Sequence, residues 1–130
     1  MENQRLTKLV ILMGFLAVAL GAFGAHALKP LMDEAGINNF NTANRYHFYH
    51  TLLALLLVLT TKEKQRYAEY SIIFALLGIL FFSGSLYIMA LRYSILTPSW
   101  LPILTPIGGF CFLLAWTALL LNFIYLRKKI

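Results

Sequence analysis

The chain carries three histidines: His26 in GAFGAHAL, and the pair His47 and His50 in NRYHFYHTLLALL. Residues three apart on a helix lie on one face, so a single turn presents both rings of the pair together. Several chemistries use imidazoles in such a place. Three rings brought together make a His₃ metal site. One ring from each of two helices, His26 with His47 or His50, makes axial haem ligation. A ring beside Ser83 or Thr105 sets a base next to a hydroxyl nucleophile. An ionisable ring inside an apolar segment marks a solute or ion pathway. A further use is structural, because a neutral imidazole donates through one nitrogen and accepts through the other.

The surrounding residues thin this set. No carboxylate lies within the apolar runs, and Asp33 and Glu34 stand in the connection after the first run. The histidine pair therefore lacks the acidic partner of a helical metal motif, and a triad lacks its orienting acid. Ser83 and Thr105 can instead bond back to carbonyls of their own helices. Nothing else signals haem, so the cofactor and metal are left unknown, and an enzyme is a weaker reading than a non-enzyme. Polar residues crowd one end of the molecule, which weakens a through-pore. A transporter of this size would need an oligomer. What remains is an interhelical hydrogen-bond network whose bonds are worth roughly 0.6–2 kcal/mol each in a membrane.

The elements that hold these residues are apolar helices. The 130 residues are 60% hydrophobic and 12% charged, against about 25% charged for an ordinary soluble domain. The net charge of +6 comes in short basic clusters between apolar runs. That pattern fits membrane topology and anionic lipid, and no aromatic-plus-basic face suggests nucleic acid. The lone Cys111 has no internal disulfide partner and is expected to be a packing residue. The first run begins with Arg5 and Lys8 and ends near AHA, as a signal peptide can. It is longer than the roughly 7–15-residue core of one and is read as a retained span.

Helices are expected over about residues 6–28, 40–61, 69–91 and 101–126, each near the roughly 20 residues that cross the hydrocarbon. LKP stops the first, because proline disfavours a helical residue before it. Asn38 or Asn39 is the expected N-cap of the second. Pro106 falls in the first turns of the fourth, where a lost hydrogen bond costs least. Eight of the eleven Lys and Arg residues fall on one side of such a chain: Arg5, Lys8, Lys62, Lys64, Arg66, Arg127, Lys128 and Lys129. Lys29, Arg45 and Arg92 fall on the other. This bias predicts cytoplasmic termini and puts the histidines at the outward end, with little polarity in the cytoplasmic half.

Helical spacing sorts the faces. In helix 1, Gly14, Ala17, Gly21, Gly24 and Ala25 fall within about a 100° arc, a small-residue face for close packing in lipid. Helix 1 is therefore expected to be central. In helix 2, Ala43, His47, His50, Thr51 and Ala54 share an inward arc. Arg45 and Tyr49 point away toward the headgroup boundary, where Tyr46, Tyr93, Trp100 and Tyr125 are also expected as belt residues. In helix 3, Ser83, Tyr87 and Ala90 form one face, and Gly78, Ser85 and Met89 another. In helix 4, Thr105, Gly109, Phe112 and Trp116 line up. Gly84, Gly108 and Gly109 are further candidates for close packing.

Four motifs in order, GAFGAHAL, TANRYHFYHTLLALL, FSGSLYIMAL and LTPIGGFCFLLAW, resemble domain-of-unknown-function family 423, the YwdK/YgdD-like small bacterial inner-membrane proteins. The resemblance covers nearly the whole chain. It implies a four-helix integral protein of the bacterial cytoplasmic membrane and brings no catalytic residue. Its motif residues here are Gly24, His26, Arg45, His47, His50, Ser83, Gly84, Thr105, Pro106 and Gly108. The resulting expectation is an all-α, multi-pass four-helix bundle, one domain over residues 1–130, with both termini inside. Its polar cluster of His26, Arg45, His47, His50, Ser83, Tyr87 and Thr105 would serve a binding or scaffold role. An oligomeric small-solute or ion transporter and a metal- or haem-binding protein are the alternatives. The lipid bilayer is the one partner the sequence names. A homo-oligomer and a protein partner stay open.

Overall fold

Local stop and start signals set the helix ends. The computed structural model describes residues 2–61, 65–91 and 97–127, with side chains from 4 to 126. Helix α1 runs Glu2–Ala25 and α2 runs Glu34–Thr60. Helix α3 covers Arg66–Ala90: it is α-helical over Arg66–Gly78, π-helical over Ile79–Ser83, and α-helical again over Gly84–Ala90. Helix α4 covers Leu101–Arg127. No strand occurs among the described residues. Lys62, Lys64, Arg92, Tyr93, Lys128, Lys129 and the side chain of Arg127, all used in the expectations above, lie outside the described residues.

Helix α1 ends earlier than expected. The Leu28 N–H turns back to the Phe23 carbonyl at 2.8 Å, and Pro30 sits in a short 3₁₀ turn, Lys29–Leu31. Helix α2 begins earlier than expected. Its N-cap is Asp33, whose carboxylate accepts from the Gly36 N–H at 2.7 Å, and Asn38 and Asn39 lie inside the helix. A carboxylate cap also complements the positive end of the helix dipole, which asparagine does not.

Among the described residues, three helices are long and apolar enough to cross a membrane: Gln4–Ala25, Arg66–Ala90 and Leu101–Leu126. Helix α2 has the length but carries more polar side chains. It lies between α1 and α3, and α3 packs on α4. The expectation of a central α1 is therefore corrected. Only 11% of its span is buried, against 39% for α3 and 33% for α4. The small face serves one neighbour, and Phe15, Val18 and Phe23 are left exposed.

That small face works as the spacing suggested, on α2. Gly24 lies under the Phe40 ring, where a β-carbon would collide with it. A β-carbon at Gly21 would meet Asn44 Oδ1 at 3.0 Å, and one at Gly14 would meet Thr51 Cγ2 at 3.5 Å. Ala25 is exposed beyond the contact. Between α3 and α4 the close approaches are Gly78 under the Phe112 ring and Gly108 against the backbone of Phe82. Phe82 belongs to the π-helical turn, whose wider backbone brings it to α4. A β-carbon at Gly84, expected as a packing residue, would meet only the Ile79 carbonyl of its own helix, at 3.9 Å. At the α2–α3 end, Leu53, Leu57, Ile72 and Ala115 form an apolar core. That half is less plain than expected: Ser71 donates to the Ala115 carbonyl at 2.8 Å and Asn122 donates to Gln65 Oε1 at 3.3 Å.

Candidate functional site

The inward arc of α2 supplies the site. His47 and His50 are 3% and 4% exposed, Thr51, Ala43 and Ala54 are buried with them, and Arg45 and Tyr49 are exposed on the other side. Two separate polar arrangements grow from the two histidines.

The first ties three helices. Asn44 Nδ2 donates to the Ala17 carbonyl of α1 at 2.7 Å and to Tyr87 Oη of α3 at 3.1 Å. Tyr87 Oη also lies 3.2 Å from His47 Nδ1. We assign the protons so that the Tyr87 hydroxyl has an acceptor. Tyr87 Oη accepts from the amide, so its own O–H is available to donate, and His47 Nδ1 is the acceptor that completes the chain. His47 then carries its proton on Nε2. That atom finds no partner among the described residues. The Met13 backbone on α1 approaches the ring without reaching hydrogen-bond geometry. Thr51 Oγ1 and Ser83 Oγ are likewise buried without a partner.

The second arrangement is built around His50. Its Nδ1 lies 2.8 Å from the Tyr46 carbonyl, one helical turn earlier. A carbonyl only accepts, so Nδ1 carries the proton. Nε2 is then a lone pair, and it accepts from Trp116 Nε1 of α4 at 3.3 Å. The two histidines thus hold opposite tautomers. The His50 ring stacks on Phe112, with centroids 3.6 Å apart and planes 15° from parallel. Tyr46 was expected in the interfacial belt. It is 39% exposed, and its ring lies 4.9 Å from the Phe82 ring and 5.9 Å from Phe112. These rings, with Pro106, Gly109 and Trp116, line a lateral groove of about 580 Å³.

A third tie joins α3 to α4. The Ser85 hydroxyl donates to the Phe82 carbonyl at 3.0 Å, and Thr105 Oγ1 lies 2.7 Å from Ser85 Oγ. Because the serine proton is used, the threonine is the donor.

His47, Tyr87, His50 and Thr105 therefore enter interhelical ties, and Ser83 is buried without one. Arg45 is exposed on the opposite face of α2. The three-histidine convergence does not form. His26 is exposed after the end of α1, and no three His, Cys, Asp or Glu side chains among the described residues come together as metal ligands. The rings are held by different neighbours instead. Asn44, Ser85 and Trp116 were not singled out as site residues. Their signal was present in part, since Asn44 is one turn from His47 and Trp116 falls on the Thr105–Phe112 face.

Residues 20–109 match the family described as Protein of unknown function (DUF423). The chain is 40% identical over 119 residues to a UPF0382 membrane protein of Haemophilus influenzae, covering 92% of each. It is 38% identical over 117 residues to the UPF0382 inner membrane protein YgdD of Escherichia coli (strain K12), covering 89% of this chain and 86% of that one. The UPF0382 membrane protein SAB0533 of Staphylococcus aureus is 38% identical over 121 residues, covering 88% of this chain and 93% of its own. No solved structure matches the chain. The family match takes in Asn44, His47, His50, Tyr87, Ser85 and Thr105, and the relatives align along nearly the whole length. The chain therefore belongs to the DUF423 family and is an integral protein of the bacterial inner membrane.

Proposed function

We propose that the chain crosses the membrane four times with both termini in the cytoplasm, and that it acts there as a binding or scaffold protein. The observation that carries this reading is how the interior polar groups are used. Asn44 is committed to Ala17 and Tyr87, Ser85 to Phe82 and Thr105, and His50 to Tyr46 and Trp116. Groups bonded to each other across helices fix one helix arrangement. They favour a rigid body that presents surfaces to the bilayer over a pathway that must hydrate and reopen. The polarity of α2 does not argue against a fourth span. Its 27 residues measure about 40 Å, enough for about 30 Å of hydrocarbon plus a headgroup-level start. Its inner polar groups face α1, α3 and α4, each long and apolar enough to cross a membrane.

The test is native mass spectrometry from mild detergent, paired with flux measurements on the same preparation in liposomes. The expected outcome is a bound lipid, small molecule or protein, and no ion or solute flux above that of empty liposomes. Saturable flux that Asn44→Leu abolishes would establish transport in place of this reading.

A further inference from the structure

The groove beside His50 has a shape and a polar group that together specify a ligand. Its rim residues, Leu113 at 66% and Trp116 at 53% exposed, lie well inside α4, one of the apolar spans. The opening therefore faces hydrocarbon, and whatever enters must dissolve in the bilayer. The walls are rings: Tyr46, Phe82 and Phe112, with His50 stacked on Phe112. Ring walls favour a ring-shaped occupant through offset and edge contacts. The space exists because of α4's own sequence. Gly109 projects no side chain into it, and a β-carbon there would only touch the Phe82 ring, at 3.7 Å. The volume, about 580 Å³, falls within the range of small-molecule sites.

The polar group is His50 Nε2. The 2.8 Å bond from Nδ1 to the Tyr46 carbonyl holds the ring as a pure acceptor on its groove side. The present donor, Trp116 Nε1, stands at 3.3 Å, a long bond from a half-exposed side chain. With the half-exposed indole swung outward from its 3.3 Å contact, a hydroxyl between the two satisfies both: its proton goes to His50 Nε2, and its oxygen accepts from the indole N–H. A carbonyl oxygen can take the indole but leaves the histidine lone pair unpaired. A methyl ether has no proton to give.

We propose that this groove binds a membrane-soluble aromatic alcohol, a phenol- or hydroquinone-type ring whose hydroxyl bridges His50 Nε2 and Trp116 Nε1. The inference rests on the binding half of the reading above and names its ligand class.

The experiment uses full-length protein in lipid nanodiscs, carrying Trp100→Phe so that Trp116 is the sole tryptophan. Tetramethylhydroquinone and its dimethyl ether are titrated while tryptophan fluorescence is read. The expected result is saturable quenching by the hydroquinone, with the ether at least about tenfold weaker because it strands the histidine acceptor. His50→Phe should remove the preference. Gly109→Leu fills the groove from α4 without touching His50 and should abolish saturable quenching in a sample that still elutes as folded protein. Equal response to hydroquinone and ether, or unchanged binding in the Gly109→Leu protein, means partition into the bilayer and overturns the proposal. So does a dimer in which a second copy covers the groove and no probe binds. A protein that retains a co-purified partner yet ignores both probes overturns this inference while leaving the broader binding reading in place. Solute flux in liposomes overturns the broader reading.

Discussion

Asn44 is the residue on which most depends. Its amide reaches α1 and α3 from α2, so one side chain joins three helices. Asn44→Ala leaves the Ala17 carbonyl without its side-chain donor and removes the donor to Tyr87. Tyr87→Phe leaves the amide and His47 Nδ1 short of a partner. Each is expected to cost about 1–2 kcal/mol in thermal unfolding in detergent. The double variant should cost clearly less than the sum, because the residues share one bond; strict additivity would mean they are not coupled. The histidine tautomers give a second check. Nitrogen-15 NMR of selectively labelled protein should find His50 protonated on Nδ1 and His47 on Nε2. Matching tautomers at the two positions would contradict the bonding described here. Much of this site was legible from spacing, because a 100° arc on a helix decides what faces inward. The partners were not. Trp116 reaches His50 across 66 positions of sequence, and Tyr46, aromatic and next to Arg45, has the same local appearance as a belt residue.

At the level of elements, glycine's value depends on what stands opposite. A β-carbon at Gly108 would run into the backbone of Phe82, which cannot swing aside as a side chain can. Gly108→Ala should therefore push α4 from α3 and lower the melting temperature by several degrees, a loss in the upper range for single substitutions, about 2–3 kcal/mol. Gly84→Ala makes only an ordinary contact, 3.9 Å to the Ile79 carbonyl, and should be neutral or stabilising by up to about 1 kcal/mol, since alanine suits a helix interior better. If the two variants melt alike, the close α3–α4 approach is not as described. The helices themselves were readable from apolar runs. The π-helical turn at Ile79–Ser83 was not, because ILFFS carries no breaker and the wider turn is set by packing against Gly108. Ser83 and Ser85, assigned to different faces, are both buried because α3 packs against α2 and against α4.

For the whole molecule, the decisive number is how many times the chain crosses. Among the described residues, three helices qualify as spans by length and apolarity alone, and three crossings would put the termini on opposite sides. Helix α2 is less apolar partly because its inner face carries Asn44, His47, His50 and Thr51, while Asn38, Asn41 and Arg45 are exposed. The bonded inner groups Asn44, His47 and His50 are directed to α1, α3 and α4. A helix lying between two spans, with its Thr51 against Gly14 and its amide on Ala17, shares their depth. That placement supports the four crossings proposed above, and with four crossings the excess of Lys and Arg near the termini and in the α2–α3 connection would put both ends inside. A fluorescent protein fused after Ile130 should therefore glow in the cytoplasm. Alkaline phosphatase fused there should be inactive, and phosphatase inserted between Pro98 and Trp100 should be active. An active phosphatase after Ile130, with the N-terminus still inside, would mean that α2 does not cross and would remove the four-span reading.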